Sequence, residues 1–307
     1  MVVAAGVFFA GPRIDVSHRP RAVELPADLD AYLRQGEAAQ PGLVAGAEKT
    51  IVWARPDRAR TPLAIVYLHG FSATRQELAP LCDEVAAKLG ANLHYARLTG
   101  HGQDGTALAR ATVNDWLNDA EEALRIGERL GERVLVVGCS TGGTLATWLA
   151  GRADNRAVLG YVLVSPNFAV ANKSAAQLEW PWARVFVPRL WGETLKSKPR
   201  NEAHAKYWTT EYPTLALLPM AGVCQVVRDV ELERIDRPLL MLYCPQDRVV
   251  DIAAAQAAFV RWGAKEKEAV AFTPTEGETH VIAGAIRAPS GTAPLAEAMV
   301  RFVERVR

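Results

Sequence analysis

Three residues of this chain have the types and surroundings needed for nucleophilic attack on a carbonyl. Ser140 is the centre of Gly138-Cys139-Ser140-Thr141-Gly142, a G-x-S-x-G sequence. A serine hydroxyl is a weak nucleophile, so it must project from a tight turn toward a base, and glycines two positions away on either side let backbone approach closely. A base and an orienting acid lie downstream: His280 in Glu278-Thr279-His280 and Asp247 in Cys244-Pro245-Gln246-Asp247-Arg248. The order Ser140, Asp247, His280 differs from the orders of the two main serine protease folds. Two backbone N–H groups, those of Phe71 and Thr141, are the candidates to hold the oxyanion of a tetrahedral intermediate.

The elements that must position these residues alternate along the chain. Leu63 to Leu68 is a continuous apolar run of the kind that a buried parallel strand gives, and it ends in His69-Gly70-Phe71. A short strand over Ile51 to Ala54 precedes it. A helix over Glu77 to Leu89, a strand over Leu93 to Leu98 and a long helix over Val113 to Leu130, capped by Thr112 or Asn114, follow it. Arg133 to Val137 is a second buried strand that runs straight into the serine turn, and Thr141 to Ala150 continues as a helix. Tyr161 to Val164, Leu239 to Tyr243 and Ala269 to Thr273 are strands, Ile252 to Trp262 a helix, and Pro294 to Arg307 a closing helix. Such alternation predicts an α/β fold, a mostly parallel sheet with helices on both faces. Ser140, Asp247 and His280 each then follow a strand, at the carboxyl edge where open α/β sheets build their sites.

Competing assignments are weaker on local grounds. Ser140 as a plain helix N-cap would explain the hydroxyl but not the flanking glycines. Asp251 opens a helix and reads as its cap, while Glu276 and Glu278 sit in the His280 loop itself. His18 lies in the N-terminal arm, His94 in a strand, His204 in an interval without strands, and His69 reads as a residue that fixes its loop by hydrogen bonding. Cys139 should point away from the reacting centre. Gly100-His101-Gly102-Gln103-Asp104-Gly105 is formally a G-x-G-x-x-G dinucleotide motif, but its strand is not the first of the sheet, and the long helix begins only near Val113. It reads as a glycine-rich wall near the site.

Composition bounds the rest. With 307 residues, 50% of them hydrophobic, and a net charge of +1, the chain is globular and has no overall electrostatic reason to bind nucleic acid. Cys82, Cys139, Cys224 and Cys244 show neither disulfide nor zinc spacing, so no cofactor or metal is expected. Residues 1–45 form an arm whose apolar stretch, Val2 to Ala10, is too short to span a bilayer and lacks the flanks of a complete signal peptide. It is open between a tail that packs or stays disordered, a clipped membrane anchor and a degraded export signal. A cytoplasmic location is expected, with membrane contact through the arm as the alternative, and the oligomeric state is not fixed by sequence. Residues 46–307 form the domain. Within it, about 168–236 breaks the alternation and holds Trp180, Trp182, Trp191 and Trp208, half of the eight tryptophans, as an inserted cap whose aromatics either glue it to the sheet or line a pocket.

LHGFSATRQE at Leu68 to Glu77, LTGHG at Leu98 to Gly102, VVGCSTGG at Val136 to Gly143, CPQDRVVD at Cys244 to Asp251 and ETHVIAG at Glu278 to Gly284 together resemble the α/β-hydrolase superfamily. Within it the pattern is similar to bacterial carboxylesterases and monoacylglycerol-lipase-like enzymes, over about Glu48 to Arg307. The resemblance implies a cofactor-free serine hydrolase acting on esters with small to medium apolar acyl chains. Amidase, peptidase or thioesterase chemistry on the same residues and a silent binding scaffold are the alternatives. Asn167 stands where some members carry another acid and cannot serve as a carboxylate, which leaves Asp247.

Overall fold

The computed structural model describes residues 9–152 and 156–307. Its main sheet has seven strands: β1 (Thr50–Val52), β2 (Thr61–Leu68), β3 (Asn92–Tyr95), β4 (Gly131–Cys139), β5 (Val158–Val164), β8 (Leu239–Tyr243) and β9 (Lys267–Ala271), in the order β1-β3-β2-β4-β5-β8-β9. Only β1 is antiparallel to its neighbour. Period-two alternation sends the two faces of the central strands into different cores. Val66, Leu68, Val134, Val136 and Leu163 face one core. Leu63, Ile65, Tyr67, Leu135, Val137, Val162 and Val164 face the other. The near-continuous apolar runs in sequence reflect burial on both faces.

Helices cover each face. After α1 (Leu29–Ala38) come α2 (Leu81–Leu89), α3 (Gly105–Arg110), α4 (Val113–Leu130), α5 (Thr141–Ala150), α6 (Ala183–Trp191), α7 (Glu202–Tyr207), α8 (Leu217–Arg228), α9 (Ile252–Arg261) and α10 (Pro289–Val306). The buried side chains of α2 and α10 belong to one core, and most of those of α4, α5 and α8 to the other, while Ile126 and Leu130 at the end of α4 pack with Leu29 and Leu33 of α1 in a third, smaller cluster. Thr112, not Asn114, caps α4, through a capping box with Asp115. Asn114 and Asn118 instead take the backbone N–H groups of Arg19 and Arg21, at 2.7 and 2.6 Å, which seats the arm along α4. Of the apolar stretch Val2 to Ala10, residues 2–8 lie outside the described residues. No described helix is long and apolar enough to cross a membrane.

Three departures from the sequence reading have local causes. The helix expected over Glu77 to Leu89 is two elements, a 3₁₀ turn at Arg75–Glu77 and α2 from Leu81, because Pro80 between them has no N–H for a continuous ladder. The helix α3 begins directly after the glycine-rich loop, six residues long and below the length at which periodicity is visible. Its N-terminus is occupied by the Asp104 carboxylate, which accepts from Ala107 N at 2.8 Å, so that loop is unsuited to a pyrophosphate. The interval 168–236, expected without strands, contains a small antiparallel pair, β6 (Thr194–Lys196) and β7 (Glu211–Pro213). Three-residue edge strands, one ending in proline, give no readable alternation.

Candidate active site

The strand order β3-β2-β4 places the switch in chain direction between β2 and β4, and their carboxyl ends lie side by side, with Leu68 opposite Gly138. The loop His69-Gly70-Phe71 leaves β2 next to the turn Ser140 that leaves β4. Ser140 has φ 51° and ψ −116°, a positive φ on a residue with a side chain, so the turn is strained. The glycines on either side permit it. A Cβ on Gly138 would stand 2.3 Å from Gly142 O, and one on Gly142 would stand 2.0 Å from Leu68 O. Ser140 accepts no side-chain capping duty, and its hydroxyl makes no hydrogen bond among the described residues.

Asp247 and His280 are brought together. His280 Nδ1 lies 2.8 Å from Asp247 Oδ2, the Asp247 side chain is fully buried, and its other oxygen, Oδ1, accepts from Val249 N at 2.7 Å and Val250 N at 3.1 Å. The carboxylate is thereby fixed from two sides. The rejected acids are engaged elsewhere: Asp251 caps α9, Glu276 accepts from Ser290, and Glu278 binds Arg287. Among the described residues no hydrogen bond joins Ser140 to His280, a contact that commonly tightens only with substrate bound.

Neither the Phe71 N–H nor the Thr141 N–H has an acceptor among the described residues, as donors awaiting an external oxygen require. The Phe71 ring packs edge-on against Tyr212 of β7 at 5.3 Å, and Ser72 O accepts from Thr209 N at 2.8 Å, so the interval 168–236 presses on this loop. His69 Nε2 accepts from Leu98 N at 3.1 Å, and Nδ1 lies 2.9 Å from Gly70 O. Those two bonds fit one neutral tautomer, and burial brings the His69 pKa down to about 4. His69 therefore fixes the loop as the sequence suggested. Cys139 is fully buried in the core opposite α5, where burial pushes its thiol up. Asn167 N donates to Ser140 O at 3.1 Å, and its side chain reaches Met220 Sδ at 3.2 Å.

Sequence reasoning missed Glu77. This carboxylate is 2% exposed, directly beneath Gly70, and Gly70 N and the Tyr67 hydroxyl both donate to its Oε2, at 2.8 and 2.9 Å. It lies in the 3₁₀ turn ahead of α2, outside any helical period, so no sequence pattern marked it.

Two apolar cavities flank the site without reaching Ser140 or His280. One of about 450 Å³ is lined by Val170, Leu178, Trp191, Tyr212, Leu217 and Met220 among others. The other, of about 520 Å³, shares Val170, Leu178 and Met220 and extends between α8 and α9. The tryptophans divide accordingly: Trp191 lines a cavity, whereas Trp208 is buried against His204. No group of residues suited to a metal ion occurs among the described residues.

Residues 60–276 match the family described as serine aminopeptidase, S33. The thermostable monoacylglycerol lipase of Bacillus sp. (strain H-257) is 28% identical over 209 residues, 68% of this chain and 80% of that protein. Among solved structures, one from work on two metagenome-derived lipolytic enzymes, LipS and LipT, superposes with a TM-score of 0.71 at 21% identity, covering 86% of this chain and 99% of the other. The soluble variant of monoglyceride lipase from Saccharomyces cerevisiae superposes with a TM-score of 0.63 at 12% identity, over 84% of this chain and 91% of the other. These likenesses identify the fold as the α/β-hydrolase fold.

Proposed function

From the premise that the chain belongs to the serine aminopeptidase S33 family and is an ester-hydrolysing α/β-hydrolase of the lipase/esterase type, we propose that it cleaves carboxylic esters through an acyl-enzyme on Ser140. His280 takes the Ser140 proton as Ser140 Oγ attacks the carbonyl. The Phe71 and Thr141 N–H groups hold the oxyanion. His280, oriented by Asp247, passes the proton to the leaving alcohol and then activates water, which releases the acid and restores the serine. The observation that carries this reading is the Asp247–His280 hydrogen bond at 2.8 Å at the edge that bears the strained Ser140 turn. Residues 168–236 act as the cap. The Bacillus relative, a monoacylglycerol lipase, favours a lipid-derived ester.

The cavity bounded by Tyr212 and Met220 is the candidate acyl site, because Tyr212 packs on Phe71 of the oxyanion loop and Met220 is tied through Asn167 to the Ser140 carbonyl; an acyl chain must pass between these contacts to enter it from Ser140. Each methylene that leaves water contributes about 0.8 kcal/mol, so kcat/KM should rise about fourfold per added methylene from acetyl to medium-chain esters and then level or fall. A p-nitrophenyl ester series measures this. A flat series, or faster turnover of charged acyl groups, would remove the apolar acyl site.

The family description favours one rival, cleavage at a peptide amino end. That chemistry needs acceptors for the substrate ammonium, and the two buried carboxylates beside the site are already engaged, Glu77 by Gly70 and Tyr67 and Glu278 by Arg287. Matched ester, thioester and anilide substrates separate the two, and the ester is expected to be the fastest.

A further inference from the structure

The short segment that carries Glu77 touches the Gly70 loop and the histidine loop, and faces the serine turn across Gly70. Its carboxylate takes the N–H of Gly70 and the hydroxyl of Tyr67. A Cβ built on Gly70 would stand 2.7 Å from Glu77 Oε1 and 3.2 Å from Ser140 Cβ, so Gly70 lies sandwiched between the acid and the serine turn. The backbone also supports the histidine loop: Ala79 O accepts from Ala285 N at 2.8 Å, and a Cβ on Gly284 would lie 2.5 Å from Glu77 O.

Burying a carboxylate is expensive, and two hydrogen bonds offset only part of that cost. Burial pushes the Glu77 carboxyl up, against the downward pull of Gly70 N–H, the Tyr67 hydroxyl and the nearby His280. A fold that needed only to fill this space would do so with an apolar side chain. What the acid accomplishes is visible in the loop. Gly70 has its N–H held by Glu77 and its carbonyl held by His69 Nδ1 at 2.9 Å and by Ala73 N at 3.3 Å. Glu77 therefore holds the peptide before Gly70, while His69 and Ala73 hold the peptide after it; because that second peptide is trans, its Phe71 N–H points opposite Gly70 O, and the acid anchors the plane from which the donor peptide departs.

We propose that Glu77 is a positioning residue of the oxyanion site, clamping Gly70 from beneath so that the Phe71 N–H stays free and aimed over Ser140. This rests on the acyl-enzyme reading and extends it to a residue that never touches substrate. Loss of one oxyanion donor lowers kcat by roughly 10²- to 10³-fold, and a clamp that only steers a donor stands at the lower end of that range.

The test compares wild type, Glu77→Asp, Glu77→Gln and Ser140→Ala on p-nitrophenyl butyrate, with thermal unfolding of each. Aspartate keeps the charge but is one methylene short of Gly70 N, and should lose roughly 10²-fold in kcat with KM within about threefold. Glutamine can place its amide oxygen at the Oε2 position and accept both bonds, and should retain kcat within about tenfold of wild type. A purely structural role would move the unfolding temperature of both variants and leave kcat per folded enzyme unchanged. Wild-type kcat in Glu77→Asp, or losses in KM alone, would overturn the proposal while an inactive Ser140→Ala left the acyl-enzyme reading standing. If Ser140→Ala kept its activity, that reading and the role of Glu77 would fall together.

Discussion

Ser140→Ala is expected to lower kcat/KM for a p-nitrophenyl ester by at least about 10⁴-fold, with the fold intact. The argument is geometric. The hydroxyl leaves a turn held at φ 51° between the end of β4 and the start of α5, makes no hydrogen bond to the described residues, and stands beside the loop whose Phe71 N–H has no acceptor among them. Alanine keeps Cβ and removes only Oγ, so the packing of Gly70 against Cβ at this position survives. The residual rate should be that of binding and oxyanion stabilisation without a nucleophile. Steady-state kinetics with thermal unfolding as the folding control gives the answer. A variant within tenfold of wild type would move the nucleophile elsewhere.

Asp247→Asn should cost about 10⁴-fold in kcat while leaving KM and stability close to wild type. The two oxygens of Asp247 have different partners: Oδ1 receives two backbone N–H groups, from Val249 and Val250, and Oδ2 faces His280 Nδ1. An asparagine must turn its carbonyl oxygen toward the two backbone donors, since an NH₂ there would meet donor with donor. Its NH₂ then faces His280 Nδ1 and makes that nitrogen an acceptor. The ring proton moves to Nε2, the nitrogen that should receive the Ser140 proton, and the base is lost without any disturbance of shape. A kcat loss of less than tenfold would show that Asp247 does not set the tautomer of His280.

Much of this site could be read from the chain alone, for reasons that differ by element. The bounds of α4 at Val113–Leu130, α5 at Thr141–Ala150 and β8 at Leu239–Tyr243 agree with the sequence reading, because each has a long amphipathic period, a two-glycine motif at its start or an uninterrupted apolar run. Asp247 and His280 were legible because each follows a strand whose carboxyl end can lie only on one edge of a parallel sheet. Other features depended on contacts between distant segments. Glu77 looked like the first residue of a helix, and nothing local announced that its side chain would turn inward to Gly70. The strands β6 and β7 find each other across fourteen intervening residues, and neither is long enough to show its own period. The route of the arm over α4 rests on Asn114, which the sequence offered only as a helix cap, and on Asn118, a mid-helix position with no local signal.

The acyl-enzyme on Ser140 is the centre of the account, and covalent trapping tests it most directly. The protein is incubated with an alkyl fluorophosphonate, digested, and its peptides are mapped by mass. The account predicts one phosphonyl adduct, on Ser140, that forms in step with the loss of ester hydrolysis and is absent from Ser140→Ala. An adduct on another residue, or complete ester hydrolysis by a protein that takes up no label, would contradict it.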